Sequence, residues 1–206
     1  MTYLRVCGLY VITNTCENDS VLNRVEAALR GGARIVQYRD KSKDDAKRLH
    51  QAQAIVALCQ EYSALSIIND DIALAQAVGA DGVHVGRDDL ALTQARAALP
   101  DKLIGVSCYN QIELAWAAQE AGADYVAFGR FFASVTKPNA IQADIEILKI
   151  AKARLRIPII AIGGITSENG SALVHAGANA LAVIHAVMGQ TNVQQAADEF
   201  RPLFPV

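Results

Sequence analysis

The chain has few cysteines and no pairing motif among them. Cys7, Cys16, Cys59 and Cys108 stand apart, with neither a CxxC spacing nor a histidine at zinc-ligand distance. That argues against redox motifs and structural zinc, and isolated thiols suit a reducing, intracellular setting better than a disulfide framework. Charge of one sign is missing too: 19 Lys and Arg stand against 21 Asp and Glu, a scattered net charge of −2. Such a balance gives no global attraction to nucleic acid or to an anionic membrane. Nor is there a long apolar run. The opening MTYLRVCGLYVIT is too short to span a bilayer and lacks a small-residue cleavage pattern, so the expectation is a cytoplasmic protein with no membrane partner. No Pro/Ser-rich linker, low-complexity tract or charge block divides residues 1–206, which read as one domain.

What the chain does have is apolar residues, 52% of the total, enough for a substantial core. They fall in short β-rich runs at 8–13, 34–40, 65–70, 82–86, 103–108, 125–130, 158–165 and 180–187. The stretches between place apolar residues three and four apart, as in Ile112, Ala115, Trp116 and in Ile145, Leu148, Ala151, Leu155, the period of a helix with one buried face. Gly32, Gly79, Gly122 and Gly177 stand where a left-handed C-cap is needed. The phrase Gly-Ala-Asp/Asn recurs at 122–124 and 177–179, each time just before a strand. Strict alternation implies a parallel sheet covered by helices. An open doubly wound sheet would satisfy it, but equal units with no breakpoint favour an α/β fold closed as a (β/α)8 TIM barrel, its active site at the C-terminal ends of the strands.

Those ends carry the polar residues. In VQYRDK, Gln37, Arg39 and Lys41 alternate and share a face. Later strand ends bring Asn69 and Asp70, then His84 and Asp89, then Ser107, then a loop with Ser134, Thr136 and Lys137, then Gly163-Gly164, and finally Ile184 and His185. Arg39, Lys41 and Lys137 are a forked cation and two point-like ones, suited to a pyrophosphate. Asp70 and Asp89 can share a Mg²⁺ completed by waters and phosphate oxygens. The Gly163-Gly164-Ile165-Thr166 turn, leading toward a helix, can hold a second phosphate on backbone amides. Each has a simpler rival. Gln37, Arg39 and Lys41 can form an edge cluster with Asp40 and Asp71; Asp70 or Asp71, and Asp88 or Asp89, can cap the helices that follow; His84 reads as a hydrogen-bonded residue of the barrel interior.

Taken together the motifs resemble the thiamine-phosphate synthase family over nearly the whole chain. They are Gln37-Tyr-Arg39-Asp-Lys41, Asn69-Asp70, Gly82 to Gly86 with Asp89, Gly105-Val-Ser107, Ser134-Val-Thr136-Lys137 and Ala161 to Ile165. The resemblance implies a transferase joining 4-amino-2-methyl-5-hydroxymethylpyrimidine diphosphate to 4-methyl-5-(2-phosphoethyl)thiazole with release of pyrophosphate. It implies one Mg²⁺ per subunit on Asp70 and Asp89. Gln37, Arg39, Lys41, Asn69, Ser107 and Lys137 would bind the pyrimidine diphosphate, with Arg39, Lys41, Lys137 and Ser107 catalytic. Ser134, Thr136, Gly164, Ile184 and His185 would hold the thiazole phosphate. The chain departs from the family pattern at Arg87, Arg130, Ser134 and His185, where glutamine, proline, threonine and serine are usual. A thiazole tautomerase-like isomerase and a non-catalytic barrel that senses thiamine phosphates are the alternatives; the former would carry a histidine where Tyr109 stands. A homo-oligomer is compatible with the sequence, which does not specify one.

Overall fold

Alternating buried runs and amphipathic stretches close into a barrel. The computed structural model describes residues 6–15, 20–86, 89–133 and 142–204. The order is β1 (Gly8–Ile12), α1 (Ser20–Arg30), β2 (Ala33–Tyr38), α2 (Asp45–Glu61), β3 (Leu65–Asn69), α3 (Ile72–Ala77), β4 (Gly82–Val85) and α4 (Asp89–Ala98). It continues with β5 (Leu103–Tyr109), α5 (Ile112–Glu120), β6 (Tyr125–Gly129), α6 (Glu146–Arg154), β7 (Ile159–Ile162), α7 (Gly170–Ala176), β8 (Ala180–Val183), α8 (His185–Met188) and α9 (Val193–Asp198). Each strand pairs in parallel with the next, and β8 returns to β1, with Gly8 to Val11 against Ala180 to Val183. The (β/α)8 expectation holds, and the open sheet does not.

Side-chain parity divides the core in two. Tyr10, Ile12, Ile35, Ile67, Tyr125, Ala127 and Ile160 form a cluster inside the barrel. Residues of the opposite parity, among them Leu9, Val11, Val36, Ile68, Ile104 and Leu181, pack in a larger cluster that includes the inner helix faces. Both faces of the sheet are covered, so most strand positions are apolar. The recurring Gly-Ala-Asp/Asn has a structural reason. Asp81, Asp124 and Asn179 each accept, through the side chain, an amide at the start of the preceding strand: Ser66 N at 2.9 Å, Ile104 N at 2.8 Å and Ile159 N at 2.8 Å.

One element differs from expectation. The run 180–187 reads as a single strand, but β8 stops at Val183 and His185 opens the short helix α8. Met188 N and Gly189 N bond back to the carbonyls of Ile184 and His185 at 2.7 and 3.0 Å. Arg24 of α1 donates to the carbonyls of Met188 and Gln190, securing the far end. An apolar run has no period that separates strand from buried helix.

Cys59 and Cys108 are buried, and burial pushes both thiols up to about 12, where they stay protonated. Cys16 lies outside the described residues. Among the described residues no helix is long and apolar enough to cross a membrane.

Candidate active site

The C-terminal strand ends surround a cavity of about 370 Å³. Gln37, Arg39, Asn69, Ser107, Gly164, Ile184 and His185 all line it. Lys41 and Asp70 are exposed beside it, on the segments that follow β2 and β3. Ser134, Thr136 and Lys137 lie outside the described residues, as does the side chain of Asp89, whose backbone begins α4. The sequence places His185 on a strand; it reaches the cavity instead from the first position of α8.

The segment carrying Arg39 and Lys41 continues past the end of β2, where ladder pairing has stopped, and the chain just past β1 holds it by other means. Thr13, fully buried, accepts from Arg39 N at 2.8 Å and donates to Arg39 O at 3.3 Å. Thr15 accepts from Lys41 N at 3.0 Å. Neither threonine is singled out by the sequence, because each acts through main-chain atoms of a strand distant in the chain. Thr13→Val keeps the volume but strands both Arg39 backbone groups. We expect a loss of about 2 kcal/mol and a fall in Tm of about 4–8 °C, read by thermal melting.

The rival edge cluster is not formed, because its carboxylates are engaged elsewhere. Asp40 pairs with Lys47 at 2.8 Å and accepts from Ser42 N at 2.7 Å. Burial works to raise the Asp40 carboxyl, but Lys47 and Ser42 outweigh it and leave the group below the ordinary carboxylate range. Asp71 pairs with Arg48 and caps α3, accepting from Leu74 N at 2.9 Å. The cap reading therefore belongs to Asp71. Asp70 sits in the left-handed region at φ 62°, its amide bonded to His84 O at 2.9 Å and its carboxylate to the Asn69 amide nitrogen at 2.7 Å.

At the end of β7 the backbone turns through Gly163 and Gly164 at φ 106° and 66°. A Cβ on Gly164 would fall 2.3 Å from Ala133 O, so the β6 loop crosses as close as the backbone permits. This turn does not run straight into α7, as the sequence suggests. The helix starts at Gly170, and Thr166 N is already bonded to Asn169 Oδ1 at 2.9 Å.

A polar row that the motifs do not disclose runs along the cavity floor, where Tyr10, Gln37, His84 and Ser107 line the cavity. Gln37 Nε2 donates to Tyr10 Oη at 2.8 Å, and Tyr10 Oη lies 3.1 Å from Tyr125 Oη. Tyr125 Oη is 3.2 Å from His84 Nδ1, and His84 Nε2 is 2.9 Å from Ser107 Oγ. The reading of His84 as a bonded interior residue is borne out. Tyr10 and Tyr125 were not anticipated. Gly105 was the available signal: a Cβ there would lie 2.0 Å from Tyr125 Cζ, so the glycine of the Gly105-Val-Ser107 motif is the space the ring occupies.

Residues 9–187 match the profile of the family described as thiamine monophosphate synthase. The chain belongs to that family. A thiamine-phosphate synthase of Thiobacillus denitrificans is 49% identical over 199 residues, covering 96% of this chain and 94% of that one. The relative in Saccharophagus degradans, of the same name, is 53% identical over 193 residues, with 92% and 89% covered. Among solved structures, the thiamine phosphate pyrophosphorylase from Pyrococcus furiosus superposes with a TM-score of 0.87 at 34% identity, over 97% of this chain and 96% of that one. Arg130 and His185, both expected from the sequence to depart from the family pattern, line the cavity.

Proposed function

We infer that this barrel, acting as one domain, is a thiamine-phosphate synthase, a transferase that couples the pyrimidine diphosphate to the thiazole phosphate. The observation carrying this is that Gln37, Arg39, Asn69 and Ser107, brought from three strands and the segment just past one of them, meet at one cavity in a chain of this family. Arg39, Lys41 and Lys137 are assigned to the diphosphate as it leaves. The methylene C–O bond breaks and its electrons depart with pyrophosphate. The thiazole nitrogen then offers its lone pair to the resulting pyrimidine-methyl cation, forming the C–N bond. That nitrogen has no proton to lose, so no side-chain base is required. Cations fixed where charge accumulates stabilise the transition state more than the ground state.

Mg²⁺ fits the donors present. Asp70 is a hard oxygen ligand at the rim, not used as a helix cap, and Asp89 opens the segment after the neighbouring strand. One or two carboxylates with substrate phosphates are the usual Mg²⁺ set. When bound, the ion supplies charge neutralisation on the diphosphate oxygens. Ser134, Thr136, Gly164 and the chain at Ile184 and His185 are assigned to the thiazole phosphate, and a cytoplasmic location suits the small-molecule substrates.

The test is pyrophosphate release from the two substrates, with Mg²⁺ and with chelator. Metal-dependent release matched by stoichiometric thiamine phosphate is expected. Substrate binding without product would overturn the synthase reading in favour of a sensing barrel. Isomerisation of a thiazole carboxylate phosphate would point to a tautomerase, although Tyr109 at the cavity wall offers a phenol where that chemistry uses a histidine.

A further inference from the structure

The row along the cavity floor has a direction. With Gln37 donating its amide hydrogen, Tyr10 accepts, and its own proton goes to its other hydrogen-bonding neighbour, Tyr125. Both phenols are buried, and burial raises both well above the ordinary tyrosine value, so each keeps its single proton. Tyr125, having accepted from Tyr10, gives its proton to His84 Nδ1. A neutral imidazole that accepts at Nδ1 carries hydrogen on Nε2, and that hydrogen points to Ser107 Oγ. Ser107 has then accepted, and its own hydrogen is left for the cavity it lines.

We propose that Tyr10, Tyr125 and His84 are positioning residues that set, as one ordered chain, what Gln37 and Ser107 present to the bound pyrimidine diphosphate. In this order Gln37 turns its carbonyl oxygen to the cavity and Ser107 turns its hydrogen. The two faces are coupled. Were the chain reversed, Ser107 would donate to His84, each proton would shift to the opposite partner, and Gln37 would have to flip to receive the last one, offering NH₂ instead. The ordered form suits a ligand with a hydrogen-bond donor at the Gln37 end and an anionic oxygen at the Ser107 end, which an aminopyrimidine diphosphate supplies. A buried chain of this kind resists reversal because an intermediate arrangement leaves one buried group unbonded. The inference rests on the synthase reading for its ligand, but the chain itself is present without one.

The experiment is ¹⁵N NMR of histidine-labelled, ligand-free protein, wild type, Tyr125→Phe and Tyr10→Phe, under conditions where the imidazole is neutral. Wild-type His84 is expected as a single tautomer with hydrogen on Nε2. Tyr125→Phe, which removes the donor to Nδ1, is expected to lose that preference and populate both tautomers. Tyr10→Phe leaves Tyr125 to donate to His84 and keeps the wild-type tautomer. It releases Gln37, however, and is expected to raise KM for the pyrimidine diphosphate about tenfold with a smaller change in kcat. Hydrogen on Nδ1 in wild type, or a Tyr125→Phe spectrum identical to wild type, would overturn the proposal. So would an unchanged KM in Tyr10→Phe. The spectra need no substrate: an ordered chain in a protein without turnover would sink only the synthase reading.

Discussion

Replacing Asp70 with glycine is expected to slow turnover by about 10²- to 10³-fold and to leave the fold nearly as stable as before. The two carboxylates after β3 are adjacent in sequence and unlike in role. Asp71 holds the α3 amide and Arg48, whereas Asp70 stands exposed in a left-handed conformation at φ 62°. That conformation costs a residue with a Cβ about 1–2 kcal/mol, which glycine avoids, offsetting the lost bond to Asn69 and the greater freedom of the unfolded chain. Stability should stay within about 1 kcal/mol of wild type. On the proposed Mg²⁺ role of Asp70, its loss should slow product formation by about 10²- to 10³-fold. Asp71→Ala should do the reverse, losing about 1 kcal/mol of stability through the cap with turnover largely kept. Melting curves and pyrophosphate release on the two variants decide the matter. Activity of the Asp70 variant within tenfold of wild type would remove that residue from the metal site.

Gly105→Ala will cripple the barrel from inside. The added methyl would lie 2.0 Å from Tyr125 Cζ and 2.3 Å from Cε2, and Tyr125 is 1% exposed, so the ring has nowhere to retreat. Overpacking of this kind costs about 3 kcal/mol, or about 6–12 °C in Tm for a chain of this size. Tyr125→Phe would not relieve it, because the clash is with ring carbons as well as the hydroxyl. Tyr125→Leu should restore part of the lost stability in Gly105→Ala. If the double variant melts no higher than the single one, the ring is not what Gly105 accommodates.

Alternation of strand and helix was legible because each segment writes its own period, and the strand-end motifs were legible because they are local. The cap role of Asp71 against the rim role of Asp70 was not, since consecutive carboxylates offer the same chemistry until the φ angle separates them. Thr13, Tyr10 and Tyr125 were hidden for a different reason. Their partners lie 26 to 115 residues away and become neighbours only when the barrel closes. Ile184 to Val187 was misread because apolar residues satisfy a buried strand and a buried helix equally.

Closure also governs how the chain can be made. The first strand finds one of its two neighbours only in β8, nearly at the other end of the polypeptide. During synthesis, the outer hydrogen-bonding edge of β1 must wait, unsatisfied, until residue 183 has emerged. A growing chain with an open apolar edge is prone to pair with its copies. Release of a truncated product ending before Ala180 should therefore give aggregates rather than a smaller soluble barrel.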